Sequence, residues 1–180
     1  YGSGMKKNFI YDMMTLVPSM LSGAKYEELS AVSPLVKEGY VLGERGFYKL
    51  AAAGEELEKL RAFFEKSDFN SLSFTDSRAV YQFYSLYNLW RDINRALENE
   101  IRLINLACEP LSAAELYAHV RRGEFKNELA SKPIKYDLRS LYSELYGGGG
   151  GYMYSKEYAL GDIKKGVLSG AFLEKKPPLG

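Results

Sequence analysis

The sequence predicts an α/β (or α+β) fold of mixed helices and short strands, and three observations carry that expectation. Strand-like and helical patterns alternate through the middle of the chain. Val80-Tyr81-Gln82-Phe83-Tyr84 reads as a strand, Leu86, Leu89, Trp90, Ile93, Ala96 and Leu97 as the apolar stripe of a helix, and Ile101 to Ala107 as a compact apolar strand. Next, Ser112-Ala113-Ala114-Glu115 has the spacing of a capping box, in which serine and glutamate satisfy two orphan N–H groups reciprocally and open another helix. Finally, 180 residues with 46% hydrophobic content suffice for a globular chain that buries about 70% of its unfolded surface.

The remaining elements follow in order. Phe9, Ile10, Met13, Met14 and Val17 recur at helical spacing, with Asn8 available as N-cap and Pro18 ending the pattern. A second short helix is expected over Tyr26 to Val32, and short strands or a lobe of loops over Gly39 to Leu50. Glu55 to Lys66 is amphipathic, with Leu57, Leu60, Phe63 and Phe64 on one side. Ser85 stands where it can cap the Leu86–Leu97 helix, and Ile134 to Leu138 reads as a further strand. The run Gly147 to Gly151 cannot join a regular element and forms either a mobile loop or a tight crossing point. A helix follows from about Ser155 to Val167, and residues 175–180 make a polar, proline-containing end expected to fray.

Charge and composition exclude several classes. The 24 Lys+Arg and 23 Asp+Glu leave a net charge of +1, which gives no general reason to bind nucleic acid or an anionic membrane. No apolar run approaches a membrane span, no signal-peptide pattern opens the chain, and a single cysteine cannot form an internal disulfide. The expectation is a cytoplasmic protein with Cys108 reduced. Fifteen Tyr and nine Phe against one Trp give much of the aromatic surface a polar tip, which suits a wet cleft as well as a core rim.

Catalytic machinery is not visible. His119 is the single histidine, beside Arg121 and Arg122 on a helix, and reads as a solvated surface group. Cys108 follows an apolar stretch and reads as a small buried hydrophobe. No Walker motif, dinucleotide fingerprint or carboxylate cluster of metal-ligand spacing is present. Two anion-binding candidates remain. Gly2-Ser3-Gly4-Met5-Lys6-Lys7-Asn8 places glycines and two lysines at a helix start, unless Tyr1–Met5 is a cloning scar. Arg78, entering the tyrosine-rich strand, can hold a phosphate with its planar fork or make a surface salt bridge with Asp76.

Several segments resemble, in order and spacing, the NAD-dependent epimerase/dehydratase family of extended short-chain dehydrogenases/reductases. Tyr1-Gly2-x-Gly4 followed by Lys6-Lys7-Asn8-Phe9-Ile10-Tyr11-Asp12 is similar to the segment after that family's catalytic half. Arg78 to Leu86 resembles its Arg-Asp-Tyr-Ile-His-Val-x-Asp-Leu element. Ile104-Asn105-Leu106-Ala107-Cys108-Glu109-Pro110-Leu111-Ser112 resembles its Tyr-Asn-(apolar)-Gly…Glu-Pro-(apolar)-Ser segment. Gly151-Tyr152 and the following helix resemble its closing Gly-Trp-x-Pro and last helix. Gln82 stands for the usual His, Ser85 for the usual Asp and Cys108 for a frequent Gly.

The resemblance implies that residues 1–174 are the substrate-binding C-terminal portion of such an oxidoreductase, lacking the Rossmann half, with 175–180 a flexible tail. It implies a nucleotide-sugar-like substrate touched by Lys6, Lys7, Asn8 and Arg78, the last at the diphosphate. NAD or NADP belongs to the full-length parent, with none bound by this chain alone, and no catalytic residue lies here. Tyr152 and Lys156 have Tyr-x-x-x-Lys spacing, but far from the family's catalytic position. The segment corresponding to Ile101–Ala107 lies in or beside the sheet of the missing half. Exposed apolar groups are therefore expected, covered by that half or by self-association. A non-enzymatic ligand- or protein-binding module derived from the lobe is the alternative reading, and a complete small enzyme of another chemistry a third.

Overall fold

Asn8 opens the first helix, α1 (Phe9–Thr15), as its position predicts: Oδ1 accepts the Tyr11 N–H at 2.9 Å, satisfying one orphan donor of the first turn. The computed structural model describes residues 1–5 and 8–173, so the expectations for Lys6, Lys7 and the 175–180 tail lie outside the described residues. The chain divides into two units, one nested within the other in sequence. One is the contiguous stretch Asp12–Phe74; the other joins Tyr1–Tyr11 to Thr75–Gly180, the division falling inside α1.

The Asp12–Phe74 unit holds β1 (Met20–Ser22), α2 (Gly23–Val32), α3 (Pro34–Gly39), β2 (Tyr40–Leu42), β3 (Phe47–Leu50) and α4 (Glu55–Glu65). Its three strands form an antiparallel sheet in the order β1-β3-β2, with Leu21 opposite Tyr48 and Val41 opposite Lys49. The Ser22 hydroxyl caps α2 through the Lys25 N–H, and Pro34 starts α3, where a missing N–H costs nothing. Leu21, Leu29, Val36, Tyr40, Leu60 and Phe64 form the core. The Tyr40 hydroxyl, buried among them, donates to the Pro18 carbonyl at 2.6 Å. The expected Tyr26–Val32 and Glu55–Lys66 helices are both present; α3 is a helix the periodicity did not single out.

The larger unit is built differently from the expected alternation. Its sheet is a two-stranded antiparallel pair, β4 (Val80–Tyr81) with β5 (Leu111–Ser112). Its helices are α5 (Leu89–Glu98), α6 (Ala113–Arg121) and α7 (Lys156–Leu168). Small antiparallel sheets with helices on separate segments make the chain α+β. The capping box forms as read, Ser112 Oγ accepting from Glu115 N–H and the Glu115 carboxylate from Ser112 N–H. Ser155 caps α7 in the same serine-first manner.

Four expectations are corrected. The strand over Val80–Tyr84 stops at Tyr81, because the Gln82 side chain takes over the pairing: its Nε2 donates to the carbonyls of Cys108 and Leu138 and its Oε1 accepts from the Leu138 N–H. Ile134–Leu138 is not a regular strand, although Ile134 O and Tyr136 N–H bond the backbone of Val80. Ile101–Ala107 is not a strand at all: no neighbouring strand offers a ladder, and Leu103 is 83% exposed. Ser85 does not cap α5; a single 3₁₀ turn, Leu86–Asn88, intervenes, and the Ser85 hydroxyl instead donates to Asp162.

A tyrosine-walled cleft beside an inverted helix

The most informative element is α5, whose polarity runs opposite to its expected packing. Together with the preceding 3₁₀ turn, its buried line is Asn88, Asp92 and Ala96, spaced four residues apart, whereas Leu86, Trp90, Ile93 and Leu97 face outward. Trp90 is 74% exposed and Leu97 67%. Four of the six residues of the stripe expected to enter the core thus lie uncovered, while Leu89 is half-buried and Ala96 buried. The same unit exposes Leu103 and Leu141.

On its inner side α5 borders a cleft of about 550 Å³, completed by Gly147–Gly149 and the segment from Tyr152 to Tyr158. At its base lies Asp92, 1% exposed. A carboxylate so deep requires several donors. Its Oδ2 accepts from the hydroxyls of Tyr84 (2.7 Å) and Tyr154 (2.6 Å), and its Oδ1 from Arg91 Nε (3.2 Å). Tyr154 in turn accepts from Arg91 Nη2 at 2.6 Å. Burial, and then the hydrogen bond to Asp92, push the Tyr84 and Tyr154 phenols well above their usual range, so both remain neutral donors. The Tyr146 hydroxyl donates to the Asp92 carbonyl, and Tyr158 exchanges hydrogen bonds with Asn88.

Two guanidinium groups, one helical turn apart, lean on this aromatic wall: Arg91 lies 5.9 Å from the Tyr154 ring centroid and Arg95 5.8 Å from that of Tyr146. Arg95 also donates to the Leu145 carbonyl, whereas its neighbours Asp92 and Glu109 are engaged elsewhere. Glu109 accepts the Lys156 N–H at the start of α7, where the helix dipole favours a carboxylate.

The glycine run resolves into a tight crossing. Gly149 and Tyr152 exchange both backbone hydrogen bonds around Gly150 (φ 63°) and Gly151 (φ 89°), the left-handed pair of a two-residue hairpin turn. At Gly148 a Cβ would fall 1.9 Å from the Tyr152 carbonyl, so no other residue fits.

The two described residues of the sequence-read site, Asn8 and Arg78, do not line this cleft. Asn8 is occupied as the α1 cap and lines a separate small hollow with Tyr1 and Tyr11. Arg78 forks onto Asp76 through Nε (2.9 Å) and Nη2 (2.7 Å), and reaches Glu128 and the Leu129 carbonyl. Asp76 also accepts the backbone N–H groups of Arg78 and Leu129. This lattice ties the 127–129 segment to the start of β4. Arg91 and Arg95 were missed, although their spacing on the polar side of a strongly patterned helix was a readable signal.

Of the residues set aside earlier, His119 is exposed, and burial pushes the Cys108 thiol up to about 12. Among the described residues no group of three or more His, Cys, Asp and Glu side chains is arranged to hold a metal, and no helix is long and apolar enough to cross a membrane. No protein-family model, curated protein or solved structure matches the chain.

Proposed function

We propose that the chain is the substrate-binding portion of an NAD(P)-dependent, sugar-nucleotide epimerase/dehydratase-like oxidoreductase, working with a nucleotide-binding half that it does not itself contain. The observation that carries this reading is the outward apolar face of α5. Of the six residues read as a core stripe, Leu86, Trp90, Ile93 and Leu97 are surface in the fold, with Leu89 half-buried and Ala96 buried, as expected of a helix whose covering layer belongs to another body. The ordered set of segment resemblances supports it independently.

Hydride chemistry is not assigned to these residues. A nicotinamide dinucleotide needs a glycine-rich turn whose N–H groups face a pyrophosphate. Here the amides of Gly147 and Gly148 bond the carbonyls of Glu144 and Ser143 in the preceding 3₁₀ turn, and that of Gly149 bonds Tyr152 across the hairpin. Tyr152 donates to Asp137 and Lys156 to Glu115, so that pair is spent on two separate structural bonds. The glycine run and the Tyr152/Lys156 pair do not fit the cofactor. The role read for the chain is to hold and orient a reactant, with phenols that stay protonated and guanidiniums that stay charged.

Light scattering on the eluted chain, with Trp90 fluorescence, tests the reading. Trp90 is the single tryptophan, so its emission reports directly on this face. Concentration-dependent association with a blue shift, or the same shift on adding a dinucleotide-binding half of this oxidoreductase type, is expected. A monodisperse monomer at high concentration, with red emission unmoved by that half, defeats it.

A further inference from the structure

We infer that the cleft between α5 and the glycine hairpin is the chain's phosphate grip, with Arg95 and the outer edge of Arg91 meeting the charged end of a nucleoside-diphosphate-type ligand. The inference deepens the proposed function, on which it rests for the choice of ligand. It moves the diphosphate contact away from Arg78.

Hydrogen-bond accounting favours the site. Asp92 is satisfied by two phenols and Arg91 Nε, and Glu109 Oε2 by the Lys156 N–H. Arg95 has no carboxylate partner within salt-bridge distance among the described residues. Its Nη1 donates to the neutral Leu145 carbonyl, so most of its donor fork remains available. Arg78, by contrast, has its fork committed to Asp76 and Glu128; a diphosphate there would have to displace two carboxylates.

Pre-organisation favours it too. The arginines sit at the same register of successive turns, each against an aromatic ring, which limits the rotamer freedom lost on gripping an anion. A volume of about 550 Å³ suits a nucleotide-sized ligand. The opposite wall is a hairpin without side chains, so the ligand can approach its backbone closely. Gly149 is the useful handle: a Cβ there meets nothing within 4 Å, and its backbone is not left-handed.

Calorimetry on the full chain with UDP-glucose, UDP and inorganic diphosphate tests the inference against three variants. Arg95→Ala should weaken UDP-glucose and UDP at least tenfold, and Gly149→Leu should abolish both by filling the cleft while melting like the parent. Arg78→Ala, measured below its own melting temperature, should change affinity less than threefold. No binding of either nucleotide by the parent chain, or binding indifferent to both Arg95→Ala and Gly149→Leu, overturns the site. Binding lost with Arg78→Ala alone also overturns it, yet leaves the substrate-lobe reading standing. Arg95-dependent binding by a chain whose α5 face fails the fluorescence test would instead keep the site and remove that reading.

Discussion

The hydroxyl of Tyr154 lies 2.6 Å from Oδ2 of the buried Asp92 and accepts 2.6 Å from Arg91 Nη2, so one phenol joins an interior carboxylate to a surface guanidinium. Asp92 thereby fixes the cleft wall from beneath, while Arg91 holds it from above. Hydrogen bonds to an ionised partner contribute about 1.5–3 kcal/mol each. Tyr154→Phe should therefore cost about 2 kcal/mol in urea unfolding. Asp92→Ala, which leaves two phenols without an acceptor, should cost more than Tyr84→Phe or Tyr154→Phe singly. A double-mutant cycle between positions 91 and 154 should show coupling.

Two aspartates should give acid responses of opposite sign. The Arg78 guanidinium holds the Asp76 carboxyl well below the usual carboxylate range. A depressed carboxylate stabilises the fold above its unfolded pKa, and that contribution is lost as pH falls from about 4 downward. Arg78→Met should lower the melting temperature at neutral pH and flatten the acid limb of a melting-temperature profile. An unchanged profile would show that the fork contributes nothing to the fold.

Burial moves Asp12 the other way, up to about 6. Between about pH 4 and 6 the folded chain then binds more protons at this site than the unfolded chain. Stability from Asp12 accordingly falls as pH rises through that window and is level above it. Asp12→Asn should remove this slope and raise the melting temperature at pH 7.5 more than at pH 4.

The glycine hairpin predicts a sharp contrast between neighbours. Gly148→Ala drives a methyl into the Tyr152 carbonyl and should destabilise strongly, whereas Gly149→Ala has open space and should be near neutral. Equal melting temperatures for the two would contradict the hairpin geometry.

What could be read in advance was what the chain decides locally. Ser112 with Glu115 and Asn8 before α1 each act within four residues of themselves, and both caps form as read; Ser155, read only as the start of a helix, caps α7 as well. Failures came where a distant partner decides. Val80–Tyr84 has strand-forming residues throughout, but Gln82 finds two carbonyls and an N–H on remote segments and ends the ladder. Ile101–Ala107 has the composition of a strand without a strand to pair with. The α5 stripe was legible as amphipathic, but periodicity shows that two faces differ, not which one meets the interior. Arg78 was legible as a cation beside a strand, and the spacing also named its companion, Asp76; Glu128, 50 residues away, was not foreseeable.

The nested order of the two units has a kinetic consequence. Asp12–Phe74 is continuous, so its sheet and the packing of α4 close through short loops and can form early. The other unit must bring Tyr1–Tyr11 back to partners beyond Thr75, including the Tyr1 hydroxyl to Asp162, across the whole inserted stretch. During refolding, hydrogen-exchange protection should therefore appear on Leu29, Val36 and Leu60 before it appears on Met153 and Ile163. A ribosome would release the inner module ready-made and leave the outer one waiting for nearly the last helix to emerge.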